Sequence, residues 1–234
     1  MTRGIDSSLV RLERATIGYG DEPILVDVDL EVGRGELLAL VGRNGSGKST
    51  LLAALLGTLP PLAGRRFGAP RFGYAPQRSE LDPVFPFLCE EVVAMGLVGR
   101  GRASRDERQA SVAAALGTAG LSEQARAPFR DLSGGQRQRA MIARAMVAEP
   151  EVLVLDEPTN NLDVQGQAEV VALLRRLHEA GTTLVLVSHA LELVRAIAQR
   201  VGVLRDRRLT IVEPEALSDE AERADLLGLS TSLG

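Results

Sequence analysis

The 234-residue sequence is poor in the residues that bind metals and form cross-links. It has one cysteine, Cys89, so an intrachain disulfide is excluded. That cysteine and the two histidines are too few for a Cys/His zinc site. The longest apolar runs, such as residues 51–56, are far too short to span a bilayer, and residues 1–10 lack the apolar segment of a signal peptide. We therefore expect a water-soluble chain in the reducing cytoplasm.

What is present is ordinary for a globular protein, with 45% hydrophobic and 25% charged residues. The formal net charge of -4 gives no support for a nucleic-acid partner. The length suffices for one large or two small domains with a substantial core.

A glycine-rich stretch at residues 42–50 is the most informative part of the sequence. It fits the phosphate-binding pattern G-x-x-x-x-G-K-[ST], with a predicted buried strand before it (36–41) and a predicted apolar helix after it (49–56). Its glycines permit positive φ and let a phosphate approach the amides; Lys48 can reach the terminal phosphates, and Ser49 can ligate Mg²⁺. A chance turn would not explain the flanking strand and helix. The residues predicted to hold the phosphates are Gly42, Arg43, Asn44, Gly45, Ser46, Gly47, Lys48, Ser49 and Thr50.

Two segments of alternating character, 9–19 and 24–32, precede this loop and predict a pair of antiparallel strands. Tyr19 lies at the end of the first. Its ring could stack on an adenine base, or it could cap the sheet as a half-buried aromatic, and the sequence leaves both interpretations open.

Helices dominate the middle of the chain. Prolines and glycines predict a loop over 57–70, followed by a short strand at 71–75. Residues 78–130 are predicted to form a mostly helical insertion with helices at 90–97 and 105–119. The second helix begins beside four arginines that could lie near membrane phosphates, although we favour a solvated helix start: Arg100, Arg102, Arg105 and Arg108.

A second helix start that could face an anion follows the insertion. Ser133 and Gln136 form a capping box at the start of a helix predicted over 136–147. Capping alone does not call for Gly134 and Gly135, each of which costs about 1 kcal/mol against alanine in a helix. Bare glycines make sense where an anion approaches the amides. These four residues are therefore predicted to contact phosphate.

Two carboxylates follow a buried strand at residues 152–155. Ligands of open α/β sheets lie at the carboxyl ends of the strands, so Asp156 is placed to hold Mg²⁺ and Glu157 to orient or deprotonate an attacking water. Helix capping or simple exposure is the alternative. Pro158 argues against a helix starting there.

Two more candidate residues lie further along. Asp163 precedes a helix predicted over 164–180 and could be no more than its N-cap. His189 follows a buried strand at 182–188 and is predicted to face the γ-phosphate. The remaining predicted elements are a helix at 191–199, strands at 201–205 and 208–212, and a short acidic helical tail to residue 229.

The ordered set of motifs resembles the ATP-binding cassette ATPases over nearly the whole chain. One departure is Asn161, where serine is common in that family's turn before Leu162-Asp163. The matching motifs are the phosphate loop, the Gln77 loop, the signature Leu132-Ser133-Gly134-Gly135-Gln136, the strand ending Asp156-Glu157, the turn Asn161-Leu162-Asp163, and His189.

The resemblance implies an α/β fold with a P-loop NTPase core, in which helices flank a mixed, mostly parallel sheet. It also implies an antiparallel β portion and a helical subdomain. The implied boundaries are a core and β lobe at about 1–77 and 150–213, a helical subdomain at about 78–149, and a short helical tail at 214–234.

The resemblance further implies an ATPase that powers a membrane transporter, with ATP and Mg²⁺ as cofactors. Two copies would pair head to tail, each ATP held between Lys48 of one copy and Ser133-Gly134-Gly135 of the other, with Asp163 communicating between the sites. Gln77 would contact Mg²⁺ and report to the helical lobe, which docks on a permease. The implied catalytic residues are Lys48, Gln77, Glu157 and His189, and the implied metal ligands are Ser49, Gln77 and Asp156.

A narrower resemblance lies in residues 77–86 and 91–96, which look like the ATPase subunits of importers for manganese, zinc or chelated iron; Leu88-Cys89 departs from the Thr-Val common there. It implies a location on the cytoplasmic face of the membrane and a substrate-binding protein in the full system. With few soft ligands, the chain itself is not expected to bind the metal. An ATPase of an exporter or lipid-handling system is the alternative. A soluble cassette protein acting on ribosomes or DNA fits less well, because there is one cassette, no heptad run and a negative charge.

Overall fold

The computed structural model of the chain describes residues 8–77, 86–99, 101 and 103–218. No helix in these ranges combines the length and apolar character needed to cross a membrane. The strands are β1 (Ser8–Tyr19), β2 (Glu22–Gly33), β3 (Leu37–Gly42), β4 (Ala63–Phe67), β5 (Phe72–Ala75), β6 (Val152–Asp156), β7 (Thr183–Val187), β8 (Arg200–Arg205) and β9 (Arg208–Val212). The helices are α1 (Lys48–Leu56), α2 (Cys89–Ala94), α3 (Arg105–Thr118), α4 (Gly134–Met146), α5 (Val164–Glu179) and α6 (Leu191–Ile197).

The described residues divide into two compact units. One contains the residues up to Pro70 and those from Thr183 onward, and we call it the phosphate-loop unit. The other runs from Arg71 to Thr182, and we call it the signature unit. The signature unit includes β5, β6 and α5 as well as helices of the expected insertion. The subdomain boundaries near 78–149 remain a prediction.

The first sheet of the phosphate-loop unit is antiparallel, in the order β2-β1-β4. Its alternation of buried and exposed residues is interrupted at Arg14 and Asp27, which have φ angles of 42° and 52° and lie where the β1–β2 register shifts. Such bulges insert one residue and reverse the faces beyond it. For this reason Leu25 is fully buried, whereas Val26, which shares its side of a regular alternation with the buried Val28 and Leu30, is only half-buried.

The expectation of a loop over 57–70 was wrong, because β4 lies within it and pairs antiparallel with β1. Most of β4 is exposed, so burial leaves no alternating pattern in its sequence. Gly64 and Gly68 look like loop residues but lie at the closest approach of the strands. A Cβ at Gly64 would overlap the carbonyl oxygens of residues 13 and 14, and one at Gly68 would overlap that of Leu9.

Parallel strands form the second layer of the phosphate-loop unit. β3 pairs with β7 on one side and with β8 on the other, and β9 adds antiparallel to β8. Five of the six residues of β3 are buried, as expected for a strand covered on both faces. α6 packs on this layer through Val194, which joins a core cluster with Ala39 and Val203.

The signature unit is built around α4. This helix packs against α2, α3, α5 and β5, and β5 pairs in parallel with β6. α3 begins with the expected capping box: the Ser104 hydroxyl accepts from the Glu107 amide at 3.2 Å, and the Glu107 carboxylate accepts from the Ser104 amide at 2.7 Å. These hydrogen bonds lower the pKa of Glu107 below its usual value.

The two units together confirm the predicted α/β class with an antiparallel portion. Where an element was predicted, its ends differ from the sequence expectation by at most three residues, and mostly by the one or two residues that are usual for helix ends. The tail beyond residue 218, two of the four arginines (Arg100 and Arg102) and residues 78–85 of the importer-like segment lie outside the described residues.

Cys89 generates a prediction about thiol chemistry. Its side chain is fully buried in α2, and burial, followed by the charge of Glu90, raises the pKa of the thiol from 9.0 to about 11. A rise of two units in the pKa lowers the fraction of Cys89 present as thiolate about 100-fold. A thiol reagent at pH 8 should therefore label the native protein at least ~100-fold more slowly than the denatured protein. Rapid stoichiometric labelling of the folded protein would contradict this placement.

The same shift predicts a pH dependence of stability. The unfolded thiol loses its proton first, near its ordinary pKa of 9.0, while the folded thiol keeps it to about 11. The free energy of unfolding should therefore decrease as the pH rises from about 9 to about 11, and Cys89→Ala should lose that part of the decrease. Denaturant titrations of the wild type and the Cys89→Ala variant at the two ends of this pH range measure the decrease in the free energy of unfolding.

Candidate functional site

The phosphate loop connects β3 to α1 and leaves the start of that helix open. The N-cap residue of α1 is Gly47, at φ 97°, which offers no side chain to cap the helix. The first turn of α1 contains no acidic residue. The amides and the positive dipole end of α1 are therefore offered to an external anion.

Lys48 closes the loop across its base. Its Nζ donates to the carbonyl oxygens of Gly42 at 2.8 Å and Arg43 at 3.0 Å, which fixes the ammonium group beside the loop backbone. The Oγ atom of Ser46 is buried without a hydrogen-bond partner, and a Cβ at Gly42 would lie only 2.6 Å from it. A glycine path, one ammonium group and an unsatisfied hydroxyl fit a bound polyphosphate.

Lys48 is also the only lysine in the sequence, since all the other basic side chains of the 27 counted as Lys or Arg are arginines. Sequence reasoning overlooked this bias. An ammonium group is a compact point charge that fits inside a narrow phosphate cradle, whereas guanidinium is a wide planar fork.

The phosphate loop rests on β2. A Cβ at Gly47 would lie 3.0 Å from the side chain of Leu25 and 3.1 Å from that of Ile24, so this position has no space for a larger residue. Tyr19, at the other end of the β1–β2 turn, is 56% exposed. A ring that exposed fits the stacking interpretation better than the half-buried cap, and its contact with adenine remains a prediction.

His189 follows β7 at the same edge of the sheet as the loop. Val187 pairs in register with Leu40, so His189 lies two residues beyond the paired positions, as Gly42 does. His189 is exposed, whereas Ser188 before it is fully buried and its Oγ accepts from the Ala190 amide at 3.0 Å. Within the phosphate-loop unit, His189, which is predicted to face the γ-phosphate, thus lies with the loop at the carboxyl ends of the parallel strands.

A second strand edge, in the signature unit, carries the carboxylates. Ala75 pairs with Leu155, so Gln77 and Glu157 each lie two residues beyond a paired position. The hydroxyl of Tyr74 donates to the Oδ2 atom of Asp156 at 3.4 Å. Sequence reasoning missed Tyr74, although its place in the strand leading to Gln77 was a signal.

Glu157 has an unusual backbone for a catalytic candidate. It is 8% exposed and lies in the left-handed region at φ 51°. Its carbonyl accepts from the Asn160 amide at 3.1 Å, which stabilises the turn. A left-handed conformation costs a non-glycine residue about 1–2 kcal/mol, so the surrounding turn must stabilise the backbone of Glu157 in this conformation.

The signature corner at the start of α4 contains the expected capping box. The Ser133 hydroxyl accepts from the Gln136 amide at 3.2 Å, and the Gln136 Oε1 atom accepts from the Ser133 amide at 2.9 Å. The two glycines differ, since Gly134 is exposed and Gly135 is buried. Only Gly134 therefore has the open setting that the sequence argument assumed for both.

Asp163 caps α5, because its Oδ1 atom accepts from the Gly166 amide at 2.9 Å. The N-cap role left open by the sequence is thus present, and a role between two copies remains a prediction. Asn161, the departure from serine, has φ 58°. Asparagine tolerates this left-handed conformation better than most residues, which explains why it fits the turn.

The predicted site residues therefore form one group in each unit. The group in the phosphate-loop unit is Tyr19, Gly42, Arg43, Asn44, Gly45, Ser46, Gly47, Lys48, Ser49, Thr50 and His189. The group in the signature unit is Gln77, Ser133, Gly134, Gly135, Gln136, Asp156, Glu157 and Asp163.

Comparison with known proteins agrees with this geometry. The family model described as ABC transporter matches residues 25–160. The zinc import ATP-binding protein ZnuC of Cereibacter sphaeroides is 39% identical over 227 residues, which cover 96% of this chain and 90% of that protein.

Two solved structures have the same fold. CbiO1 from Clostridium perfringens, part of the ABC transporter complex cbiONQ, has a TM-score of 0.82 at 29% identity and covers 96% of each chain. The dimeric structure of MJ0796, a bacterial ABC transporter cassette, has a TM-score of 0.75 at 28% identity and covers 88% of this chain and 98% of that one.

The fold and the phosphate loop define a P-loop NTPase that binds ATP. More specifically, the chain belongs to the ABC transporter family and is an ATPase of the ATP-binding cassette class. The resemblance identified from the motifs is confirmed, and so is the predicted P-loop core.

Lys48 provides the most direct test of the cradle. Replacing Lys48 by Ala removes a charge-assisted contact to phosphate worth about 1.5–3 kcal/mol, so ATP affinity should fall roughly 10- to 100-fold, as measured by calorimetry. Because Lys48 is the only lysine, ATP should also protect a single side chain from an amine-acylating reagent, as read by peptide mass spectrometry.

Arg65→Ala is the matched control, since it removes an exposed cation of β4 in the same unit. It should leave ATP affinity unchanged. Wild-type affinity in the Lys48 variant, or acylation of Lys48 that ATP does not slow, would refute the assigned role.

Proposed function

We propose that the chain is the ATP-hydrolysing subunit of a membrane importer of a divalent metal, with zinc as the first candidate cargo. The observation that supports this most strongly is the 39% identity, over 96% of the chain, to a protein named for zinc import. In this proposal the metal passes through a permease, and this subunit supplies the energy.

In this proposal, most contacts to ATP within one copy come from the phosphate-loop unit. The open end of α1 and the ammonium group of Lys48 bind the phosphates, while Tyr19 stacks on the base. Ser49, Gln77 and Asp156 present oxygen ligands, which suit Mg²⁺. When bound, Mg²⁺ neutralises charge on the β- and γ-phosphate oxygens.

Hydrolysis is assigned to Glu157 and His189. Glu157, fixed by its left-handed turn, orients and deprotonates the attacking water, and such a base typically contributes 10²–10⁴-fold in rate. His189 donates a hydrogen bond to the γ-phosphate, whose negative charge grows as the bond to the β-phosphate breaks. The exposure of His189 beside a buried Ser188 agrees with a group that contacts ligand.

The working form in this proposal is a head-to-tail homodimer. Each ATP lies between the phosphate loop of one copy and Ser133-Gly134-Gly135 of the other, and Asp163 links the sites. The dimeric cassette similar to this chain, with a TM-score of 0.75, supports a dimer. The subunit would be held on the cytoplasmic face of the membrane by the permease, with a substrate-binding protein completing the system.

Glu157→Gln should separate binding from hydrolysis. The amide keeps the size of the side chain but cannot accept the proton, so ATP affinity should stay within about twofold while turnover falls about 10²–10⁴-fold. An ATP-bound dimer should then accumulate and elute early in size-exclusion chromatography. Glu179→Gln, an exposed carboxylate at the end of α5, is the control. A Glu157→Gln variant that stays monomeric with ATP would count against the dimer.

Cellular metal content tests the cargo. Deleting the gene should lower the uptake of zinc, and of manganese or iron if one of them is the cargo, with the loss measured by elemental analysis of cells grown in limiting metal. The wild-type gene should restore uptake, and the Glu157→Gln gene should not. Unchanged uptake of all three metals would contradict metal import and favour the exporter or lipid-handling alternative.

A further inference from the structure

The N-terminal turns of α4 and α5 meet through two buried glycines. A Cβ on Gly135 would lie 2.9 Å from the Cα of Gly166, and a Cβ on Gly166 would lie 3.3 Å from the Cα of Gly135. For Gly135 the nearest obstacle is the backbone of α5, whereas for Gly166 the backbone of α4 lies slightly farther away than the side chain of Asp163. A methyl group on Gly135 therefore requires a helix to move, and one on Gly166 requires Asp163 and the α4 backbone to give way. The neighbouring Gly134 is different, because its Cβ would meet only the Leu162 side chain, at an ordinary 3.4 Å.

The same face of α4 is anchored one turn further along. The Nη2 atom of Arg139 lies 3.0 Å from the Glu169 carboxylate of α5, and the Arg139 side chain is only 13% exposed. Its Nη1 atom also donates to the carbonyl oxygens of Ala119 at 2.8 Å and Gly120 at 3.2 Å, which follow α3. A shielded, multiply hydrogen-bonded pair holds a fixed geometry better than an exposed one.

The glycine contact lies between two functional turns. Ser133 is two residues before Gly135 and caps α4, while Asp163 is three residues before Gly166 and caps α5. A Cβ on Gly166 would lie 2.8 Å from the Oδ1 atom of Asp163, so the crowding would reach that cap as well. The distance between the signature corner and the Asn161–Asp163 turn is therefore set where the two helix backbones touch.

We propose that Gly166 is a positioning residue for ATP hydrolysis, because its missing side chain fixes the signature corner against the turn that leads from Glu157 into α5. This inference rests on the proposed dimer, in which the corner serves the nucleotide of the other copy. Any shift of the Glu157–Asp163 segment is then transmitted through Gly166 to Gly135 and Ser133. In each copy, the position of the Glu157–Asp163 segment thereby determines the position of Ser133 at the start of α4. In the proposed dimer, that residue contacts the ATP bound to the other copy.

Gly166→Ala tests this coupling in the full-length chain. The methyl group should displace the Asp163 carboxylate and push the two helices apart by a few tenths of an ångström or more, and a misplacement of about 1 Å can reduce a rate about 100-fold. We expect kcat to fall by roughly 10- to 100-fold and the Hill coefficient for ATP to fall toward 1, while ATP affinity for the monomer stays within about twofold. A purely structural role would lower the melting temperature without changing the Hill coefficient.

Gly117→Ala is the matched control, since Gly117 lies inside α3 and its Cβ would meet only Ser122, at 3.7 Å. This substitution should leave kcat and the Hill coefficient for ATP unchanged. If Gly166→Ala does not fold, Glu169→Gln decides the question, because it weakens the Arg139 anchor without adding volume. It should reduce the Hill coefficient in the same direction by a smaller amount.

The outcomes separate the two proposals. A wild-type chain that hydrolyses ATP with a Hill coefficient of 1 at every protein concentration contradicts the proposed dimer. A cooperative wild-type chain with wild-type kcat and Hill coefficient in Gly166→Ala overturns the role of Gly166 alone. If Gly166→Ala does not fold, unchanged cooperativity in Glu169→Gln overturns it in the same way.

Discussion

The start of α1, which no side chain caps, is the constraint around which the phosphate-loop unit is arranged. In the part of the chain that the structure describes, the three longest helices, α3, α4 and α5, are capped by the side chains of Ser104, Ser133 and Asp163. α1 begins instead at a glycine whose backbone can turn but cannot cap. The parallel pairing of β3 and β7 places His189 at the same end of the sheet as the start of α1. The positive end of this helix thus lies among the residues that we expect to bind phosphate.

Much of this arrangement could be predicted from the sequence, because the relevant signals are local. A capping box spans four residues, a buried strand shows as an apolar run, and a glycine-rich loop followed by lysine has few other uses. For this reason α3, α4 and the loop between β3 and α1 were all anticipated. Ser104 and Ser133 make the hydrogen bonds that the spacing predicted.

The parts that could not be predicted depend on contacts between distant segments. β4 is exposed and held by main-chain pairing with β1, so its side chains carry no signal. The bulges at Arg14 and Asp27 reverse the faces of their strands, which no periodic pattern anticipates. The contact of Gly135 with phosphate stays a prediction, but its contact with Gly166 could not be anticipated, because the sequence shows that a side chain is absent but not which neighbour lies against it.

The contact of Gly47 with Leu25 and Ile24 has a consequence for how this ATPase could change its preference among nucleotides. β2 supports the loop near its start and, through the hairpin with β1, also places Tyr19. A substitution that tilts the β1–β2 hairpin to accept a different base would also shift β2, against which the phosphate loop packs. In the proposed binding mode, in which Tyr19 stacks on the base, base selectivity and phosphate binding thus share β2 as their support, and replacing the Tyr19 ring is the change that alters the first while leaving the second intact.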